Sequence, residues 1–305
     1  MAVIRSQGLA GVFVPVLTPF DSQLNPEPKR LVAHCRWLLA HGCNVLAVFG
    51  TTGEANSLSV TEREMLLEAL LRGGVEPERL LPGTGCSALS DSVRLTAHAV
   101  KCGCAGALVL PPFYYKDVAD EGLYRNYVEI IERVADPRLQ LYLYHIPQVT
   151  KVGISLKLIE RLLKAYPRIV VGMKDSSGDW DNTKATLDAF PGFNVLPGNE
   201  RALLAAMRMG GKGCFTATGN IGAGGIHRLY ECWTSTEADR MQEKVNKLHG
   251  VFQKYPMIAA LKQVVADHSG DAVWLNLRPP LLGFDAHQAA SLRQELELHG
   301  FSMPD

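Results

Sequence analysis

The chain alternates between two kinds of hydrophobic pattern. Short runs in which nearly every residue is apolar are followed by longer stretches in which apolar residues return every three or four positions. The first kind predicts strands covered on both faces, and the second predicts amphipathic helices. Val12-Phe-Val-Pro-Val-Leu17 opens the series, and residues 28–40 then show helical spacing at Leu31, Cys35, Leu38 and Leu39. Residues 45–49 form the next strand-like run. A helix is expected from near Thr61, where Thr61-Glu62-Arg63-Glu64 has the form of a capping box. The alternation continues with strands at 79–84, 106–110, 139–145, 169–174, 193–196 and 213–216. The matching helices are expected at 90–102, 121–134, 155–165, 180–190 and 200–209.

About eight βα units fit a closed (β/α)8 barrel, the TIM-barrel α/β class, better than a doubly wound sheet, although periodicity leaves the second open. After Gly222 the strand-like runs stop. Helices are expected at 227–249, 255–268 and 286–299. The expected organisation is a catalytic barrel over 1–222 and a helical C-terminal extension over 223–305, packed on the barrel.

Composition narrows the function classes. Lys and Arg together number 31, as do Asp and Glu, so no net field is aimed at nucleic acid or a membrane. No apolar run approaches the ~20 residues that span a bilayer, and the first nine residues lack a signal-peptide pattern, which makes the cytoplasm the default compartment. The seven cysteines contain no CxxC pair and most sit in apolar segments, as buried free thiols do. The histidines form no HExxH, and no metal is expected. The glycines of 219–225 do not make a GxGxxG, and no Lys or Arg follows them before Arg228.

In a barrel, reactive groups sit at strand C-termini and in the loops that follow. Those positions hold Thr51 and Thr52, Pro111 to Tyr115, Tyr144 and His145, Lys174 and Asp175, and Gly198 to Glu200. Lys174 closes the buried run Ile169-Val-Val-Gly-Met-Lys174. It is either a snorkelling or Asp175-paired side chain, or an amine held out of water to attack a carbonyl. Tyr144 closes the preceding strand, as an amphipathic core-edge residue or as a proton relay. Gly50-Thr-Thr-Gly-Glu54 is either a plain glycine-rich turn or one whose hydroxyls and N–H groups hold an anion such as a carboxylate.

Six motifs in order, Gly50-Thr-Thr-Gly-Glu54, Pro111-Pro-Phe-Tyr-Tyr115, Glu121-Gly-Leu-Tyr124, Tyr144-His-Ile-Pro147, Val171-Gly-Met-Lys174 and Gly210-Gly-Lys-Gly213, resemble the dihydrodipicolinate synthase / N-acetylneuraminate lyase family. The resemblance runs from about Gly11 to Gly225, with Arg278-Pro-Pro280 a weaker echo. It implies a class I aldolase or lyase without a separate cofactor, in which Lys174 forms a Schiff base with pyruvate or another 2-oxo acid. It assigns proton transfer to Tyr144 in a relay with Thr51 and Tyr115, with Tyr115 reaching a neighbouring subunit's site in a homodimer or homotetramer. Thr52 and Gly53 would hold the carboxylate with Thr51, and Gly198 and Phe215 would line the pyruvate pocket.

One position departs from the family pattern. Two residues past the Pro of Tyr-x-x-Pro, where dihydrodipicolinate synthases carry a carboxylate-binding arginine, this chain has Val149. An apolar group cannot replace a bidentate clamp. Ser176, Asn199 and Glu200 offer polar groups for a hydroxylated tail, so the resemblance points to a 2-keto-3-deoxy sugar acid or a hydroxy-oxoglutarate-like substrate. A dehydratase or decarboxylase working through the same imine, 4-hydroxy-tetrahydrodipicolinate synthase, and a non-catalytic binding relative are the alternatives.

Overall fold

Residues 8–304 are described by a computed structural model, so the leader expectation for the N-terminus falls largely outside them. The strands are β1 Gly11–Val14, β2 Val45–Leu46, β3 Ala107–Val109, β4 Leu141–His145, β5 Val170–Asp175, β6 Asn194–Pro197 and β7 Gly213–Phe215. All pairings between them are parallel. β1 lies between β2 and β7, and β3, β4, β5 and β6 follow one another in order.

Residues 80–83 join the two groups, with Leu46 paired to Leu80 and Gly83 paired to Leu108. This segment is the eighth stave of the barrel. Pro82 removes one rung, because its nitrogen has no proton to give to β3, while its carbonyl still accepts from Leu108 N at 2.9 Å. On the opposite side β6 and β7 pack together. The result is a TIM barrel with further helices beyond it.

The helices of the first half are α1 Pro28–Ala40, α2 Val60–Arg72, α3 Leu89–Lys101, α4 Asp120–Val134, α5 Pro147–Thr150 and α6 Leu156–Ala165. They are followed by α7 Trp180–Ala189, α8 Leu203–Arg208, α9 Gly219–Gly222, α10 Gly224–Glu231, α11 Ala238–Phe252, α12 Met257–Ser269 and α13 Ala286–Leu298. Phe13, Ala47, Leu81, Leu108, Tyr142, Leu196 and Phe215 fill the barrel interior, with the Phe13 and Phe215 rings 4.8 Å apart. Two larger apolar clusters lie between the staves and the surrounding helices, as strands buried on both faces require. A further cluster, built around Leu17, Ile221, Phe252, Leu261 and Leu292, unites α9, α11, α12 and α13 with the exit of β1.

Three local expectations are corrected. The cap of α2 is Ser59, not Thr61. Ser59 Oγ accepts from Glu62 N at 3.2 Å and Glu62 returns a carboxylate oxygen to Ser59 N at 2.7 Å, which puts Thr61 inside the first turn. The helix expected over 227–249 is two helices. Residues 232–237 contain Thr234-Ser235-Thr236, poor helix formers that favour turns, and Ser235 N bonds Cys232 O instead. The stretch expected as one helix over 200–209 begins with a 3-10 turn at Glu200–Ala202 before α8.

Candidate active site

Tyr144 and Lys174 are register partners on β4 and β5, one residue before each strand ends. Parallel neighbours in register send their side chains to the same face, here the barrel interior. Lys174 Nζ donates to Tyr144 Oη at 3.1 Å, and Tyr144 Oη is 3.1 Å from Thr51 Oγ1. The amine also lies 4.2 Å from the centre of the Tyr144 ring and 4.5 Å from that of Phe215. Lys174 is 4% exposed and Tyr144 3%.

Asp175 does not pair with the lysine. Alternation along β5 turns it to the other face. There it accepts from Ser177 N at 3.0 Å, Asn182 Nδ2 at 2.9 Å and Thr183 Oγ1 at 2.7 Å, tying the strand to α7. Among the described residues, Lys174 therefore has a phenol and two aromatic faces around its amine and no carboxylate. This removes the paired-lysine alternative left open by the sequence.

The turn after β2 is tightly held. Gly53 O accepts from the buried Thr18 hydroxyl at 2.7 Å. A side chain at Gly53 would put its Cβ 2.6 Å from Val16 O, so the close approach requires glycine. Glu54 follows in the left-handed region, at φ 54°. This geometry sets Thr51 beside Tyr144 and leaves Thr52 partly exposed next to it.

The neighbouring strand ends complete the surroundings. Gly198 packs against Ser176 so closely that a Cβ would meet its Oγ at 2.0 Å. His145 Nδ1 accepts from Ile154 N at 3.0 Å, which leaves the ring proton on Nε2. Burial lowers the His145 pKa, with Asp175 opposing.

Other sequence-selected residues stand apart from this cluster. Tyr115 is 73% exposed and stacks edge-on with Tyr114 at 5.4 Å, and among the described residues it makes no hydrogen bond to Thr51 or Tyr144. Val149 lies exposed on α5. Asn199 Oδ1 accepts from Arg201 N at 3.1 Å. Glu200 is buried, accepting from the Thr218 hydroxyl and lying 2.8 Å from His249 Nδ1. Burial pushes its pKa up, but the His249, Thr218 and backbone contacts together outweigh this and the net shift is downward.

Two features were missed in the sequence. Thr18, which pins Gly53, carries no local signal. Lys262, which bonds Glu54, does carry one, because it is the lone charge in the apolar stretch Ala259-Ala-Leu-Lys-Gln-Val-Val265.

A cleft of about 350 Å³ opens beyond the outward face of β5, lined by Asp175, Trp180, Asn199 and Arg201. It holds no lysine beside a tyrosine hydroxyl, whereas the smaller space over Thr51 and Tyr144 adjoins one, so the Lys174 cluster is the candidate site. Among the described residues no three His, Cys, Asp or Glu side chains are grouped to hold a metal, and no helix is long and apolar enough to cross a membrane.

The model of the dihydrodipicolinate synthetase family matches residues 8–298. The chain is 31% identical over 292 residues to an uncharacterised DapA-like lyase of Chloroflexus aurantiacus, covering 94% of this chain and 96% of that protein. Among solved structures it is similar to the dihydrodipicolinate synthase of Agrobacterium tumefaciens. The identity there is 28% and the TM-score 0.88, over 95% of this chain and 99% of that one. It is also similar to the chloride-inhibited dihydrodipicolinate synthase of Acinetobacter baumannii, complexed with pyruvate, at 27% identity and TM-score 0.86, over 95% and 99% of the two chains. A family match that runs from before β1 through the end of α13, on a barrel of the same shape, identifies the chain as a carbon–carbon lyase of the dihydrodipicolinate synthetase family.

Proposed function

We propose that the enzyme is a class I aldolase in which Lys174 forms a Schiff base with a 2-oxo acid, and that pyruvate is the fragment released or taken up. The observation that carries this is the chain Lys174 Nζ to Tyr144 Oη to Thr51 Oγ1, with 3.1 Å at each step, beside a buried amine that has no carboxylate partner. A lysine in such a setting is available to attack a carbonyl rather than committed to an ion pair. The pyruvate complex of the similar Acinetobacter baumannii enzyme supports pyruvate as the ligand.

The steps balance on these residues. The Lys174 nitrogen adds to the C2 ketone to give a carbinolamine. Tyr144 supplies the proton with which the hydroxyl leaves as water, and an iminium remains. Tyr144, now deprotonated, takes the proton of the C4 hydroxyl, and the iminium accepts the electron pair of the C3–C4 bond as it breaks, releasing an aldehyde and leaving an enamine. Protonation at C3 and addition of water then return pyruvate and the free amine. Thr51 and Thr52, with the N–H of Gly53, hold the substrate carboxylate, and Gly198 and Phe215 bound the pyruvyl group. Of the polar groups offered for a hydroxylated tail, Ser176 adjoins Gly198, whereas Asn199 caps toward Arg201 N and the buried Glu200 is held by Thr218 and His249.

Val149 sets the substrate class. It puts a solvent-facing apolar group where a carboxylate-binding arginine would stand, which favours an uncharged, hydroxylated aldehyde fragment. A 2-keto-3-deoxy sugar acid meets that requirement; a hydroxy-oxoglutarate-like acid, whose aldehyde fragment carries a carboxylate, is the second candidate and would have to hold that charge with groups other than an arginine at position 149. The test is a screen of 2-keto-3-deoxy acids with pyruvate detection and full product analysis. Pyruvate plus an aldehyde supports the aldolase, whereas loss of water or carbon dioxide with the chain intact means that the same imine serves a dehydratase or decarboxylase. The enzyme functions as a homodimer or homotetramer in which Tyr115 completes a neighbour's relay, and the cytoplasm is its compartment.

A further inference from the structure

The turn that carries Thr51 and Thr52 is tied to a distant part of the chain by a single buried ion pair. Lys262, on α12, donates to Glu54 at 2.5 Å, and both side chains are 0% exposed. The same ammonium donates to Asn276 O at 2.8 Å and lies 4.6 Å above the Phe20 ring. The second Glu54 oxygen accepts from Arg278 N at 3.0 Å. One carboxylate thus clamps two separate segments of the C-terminal region to the residue that ends the turn.

Glu54 holds a left-handed backbone conformation, which is costly for any residue but glycine and persists only where its surroundings enforce it. Its amide bonds back to Thr51 O at 3.1 Å, so a change at Glu54 moves the carbonyl of Thr51 directly. A fully buried ion pair contributes little net stability over a well-packed apolar pair. What it supplies here is direction, because both oxygens of one carboxylate have fixed donors.

We propose that Glu54 and Lys262 are positioning residues for the lyase reaction, holding the Thr51-Thr52 turn where it grips the substrate carboxylate and where Thr51 reaches Tyr144. The inference rests on the carboxylate role of that turn. Neither side chain touches the Lys174 cluster itself. Their effect is exerted through the backbone of residues 51–54, so it falls on substrate binding before it falls on imine chemistry.

The test uses pyruvate alone, which avoids dependence on the aldehyde partner. Borohydride trapping on Lys174 is titrated with pyruvate, and exchange of the pyruvate methyl protons in deuterium oxide reports enamine formation. Glu54→Gln leaves Lys262 charged and unpaired, so Glu54→Gln/Lys262→Met is made alongside it as a folded, uncharged replacement. In the double variant the pyruvate concentration for half-maximal trapping should rise about tenfold, with methyl exchange at saturating pyruvate falling less than threefold, the split expected when binding contacts are weakened. Glu64→Gln is the control. It breaks the two-point Arg94–Glu64 ion pair between α2 and α3, which touches neither Glu54 nor the segments it clamps, and should leave both pyruvate readouts unchanged.

A folded double variant that traps pyruvate at the wild-type concentration overturns the positioning role. So does a Glu64→Gln enzyme that loses pyruvate affinity equally, since the effect would then be general loosening. If the wild-type enzyme itself traps no pyruvate, it is the Schiff-base reading that fails, and this inference goes with it.

Discussion

Lys174 and Tyr144 face each other across one rung of the β4–β5 ladder, and the amine donates to the phenol oxygen at 3.1 Å. Register alone places them side by side, so the pairing depends on the strands rather than on a mobile loop. Substituting the lysine should therefore remove chemistry and leave the barrel standing. Lys174→Ala is expected to abolish turnover and to stop the mass gain of one reduced pyruvyl group on borohydride treatment. Lys174→Arg should fail in the same way, because a guanidinium stays protonated and cannot add to a ketone. Intact-mass spectrometry after reduction decides the matter. A single labelled site persisting in Lys174→Ala would place the nucleophile elsewhere.

The second substrate is tested at Val149. It is 57% exposed on the short helix α5, so Val149→Arg should change the melting temperature by no more than about 1–2 °C. The wild-type enzyme should condense pyruvate with aspartate semialdehyde poorly. Val149→Arg should improve that reaction, by supplying a planar bidentate partner for the aldehyde's carboxylate. Steady-state kcat/KM with aspartate semialdehyde is the measurement, and efficient wild-type condensation would contradict the assignment of Val149.

A pH dependence of stability follows from His34. The ring is buried on α1 near Trp37 and Trp274, with Nε2 3.1 Å from Asn220 Oδ1. Burial pushes its pKa down from 6.5 to about 4, and the Asn220 contact only partly opposes this. The unfolded chain takes up the proton first, so this contribution is complete above pH 6.5 and is lost as pH falls towards 4. The slope is at most about 1.4 kcal/mol per pH unit. His34→Gln should flatten the denaturant midpoint over that window. Glu62, held down to about 2 by Arg278, acts in a separate window. Its contribution is present above pH 4.5 and is lost on further acidification, and it should persist in the His34 variant.

The sequence was most informative where a single strand carries the signal. Lys174 and Tyr144 end continuous apolar runs, and a polar side chain at such a point is conspicuous without any tertiary information. The staves were equally legible, except that Pro82 cut one of them to two bridges. Contacts made at long range were hidden. Glu54 and Lys262 are 208 positions apart, and only the folded chain reveals that the last residue of the turn is anchored by α12. Local ambiguity accounts for the misplaced cap of α2, since Ser59-x-x-Glu62 and Thr61-x-x-Glu64 both fit the pattern. The extended backbone at Ser59, with ψ 163°, selects the first.

Tyr115 carries the last prediction. It and Tyr114 are 73% and 74% exposed, an aromatic pair that a protein surface rarely leaves uncovered, and within the described chain Tyr115 makes no hydrogen bond to Thr51 or Tyr144. A relay that includes it must therefore be completed between subunits. Tyr115→Phe should keep the fold and still trap pyruvate on Lys174, while kcat falls by roughly 10²–10⁴, the range for loss of a positioned proton donor. Lys174→Ala supplies the complementary defect. Each homo-oligomer alone should be inactive or nearly so. Mixed and reassembled subunits should regain activity, because a hybrid dimer contains one site with both Lys174 and Tyr115 intact. At random assembly half of the dimers are hybrids with one such site each, so recovery should approach about a quarter of the wild-type specific activity. Native mass spectrometry verifies that hybrids have formed. A fully active monomer in sedimentation, or no recovery in verified hybrids, would leave Tyr115 as a packing residue and confine the relay to Lys174, Tyr144 and Thr51.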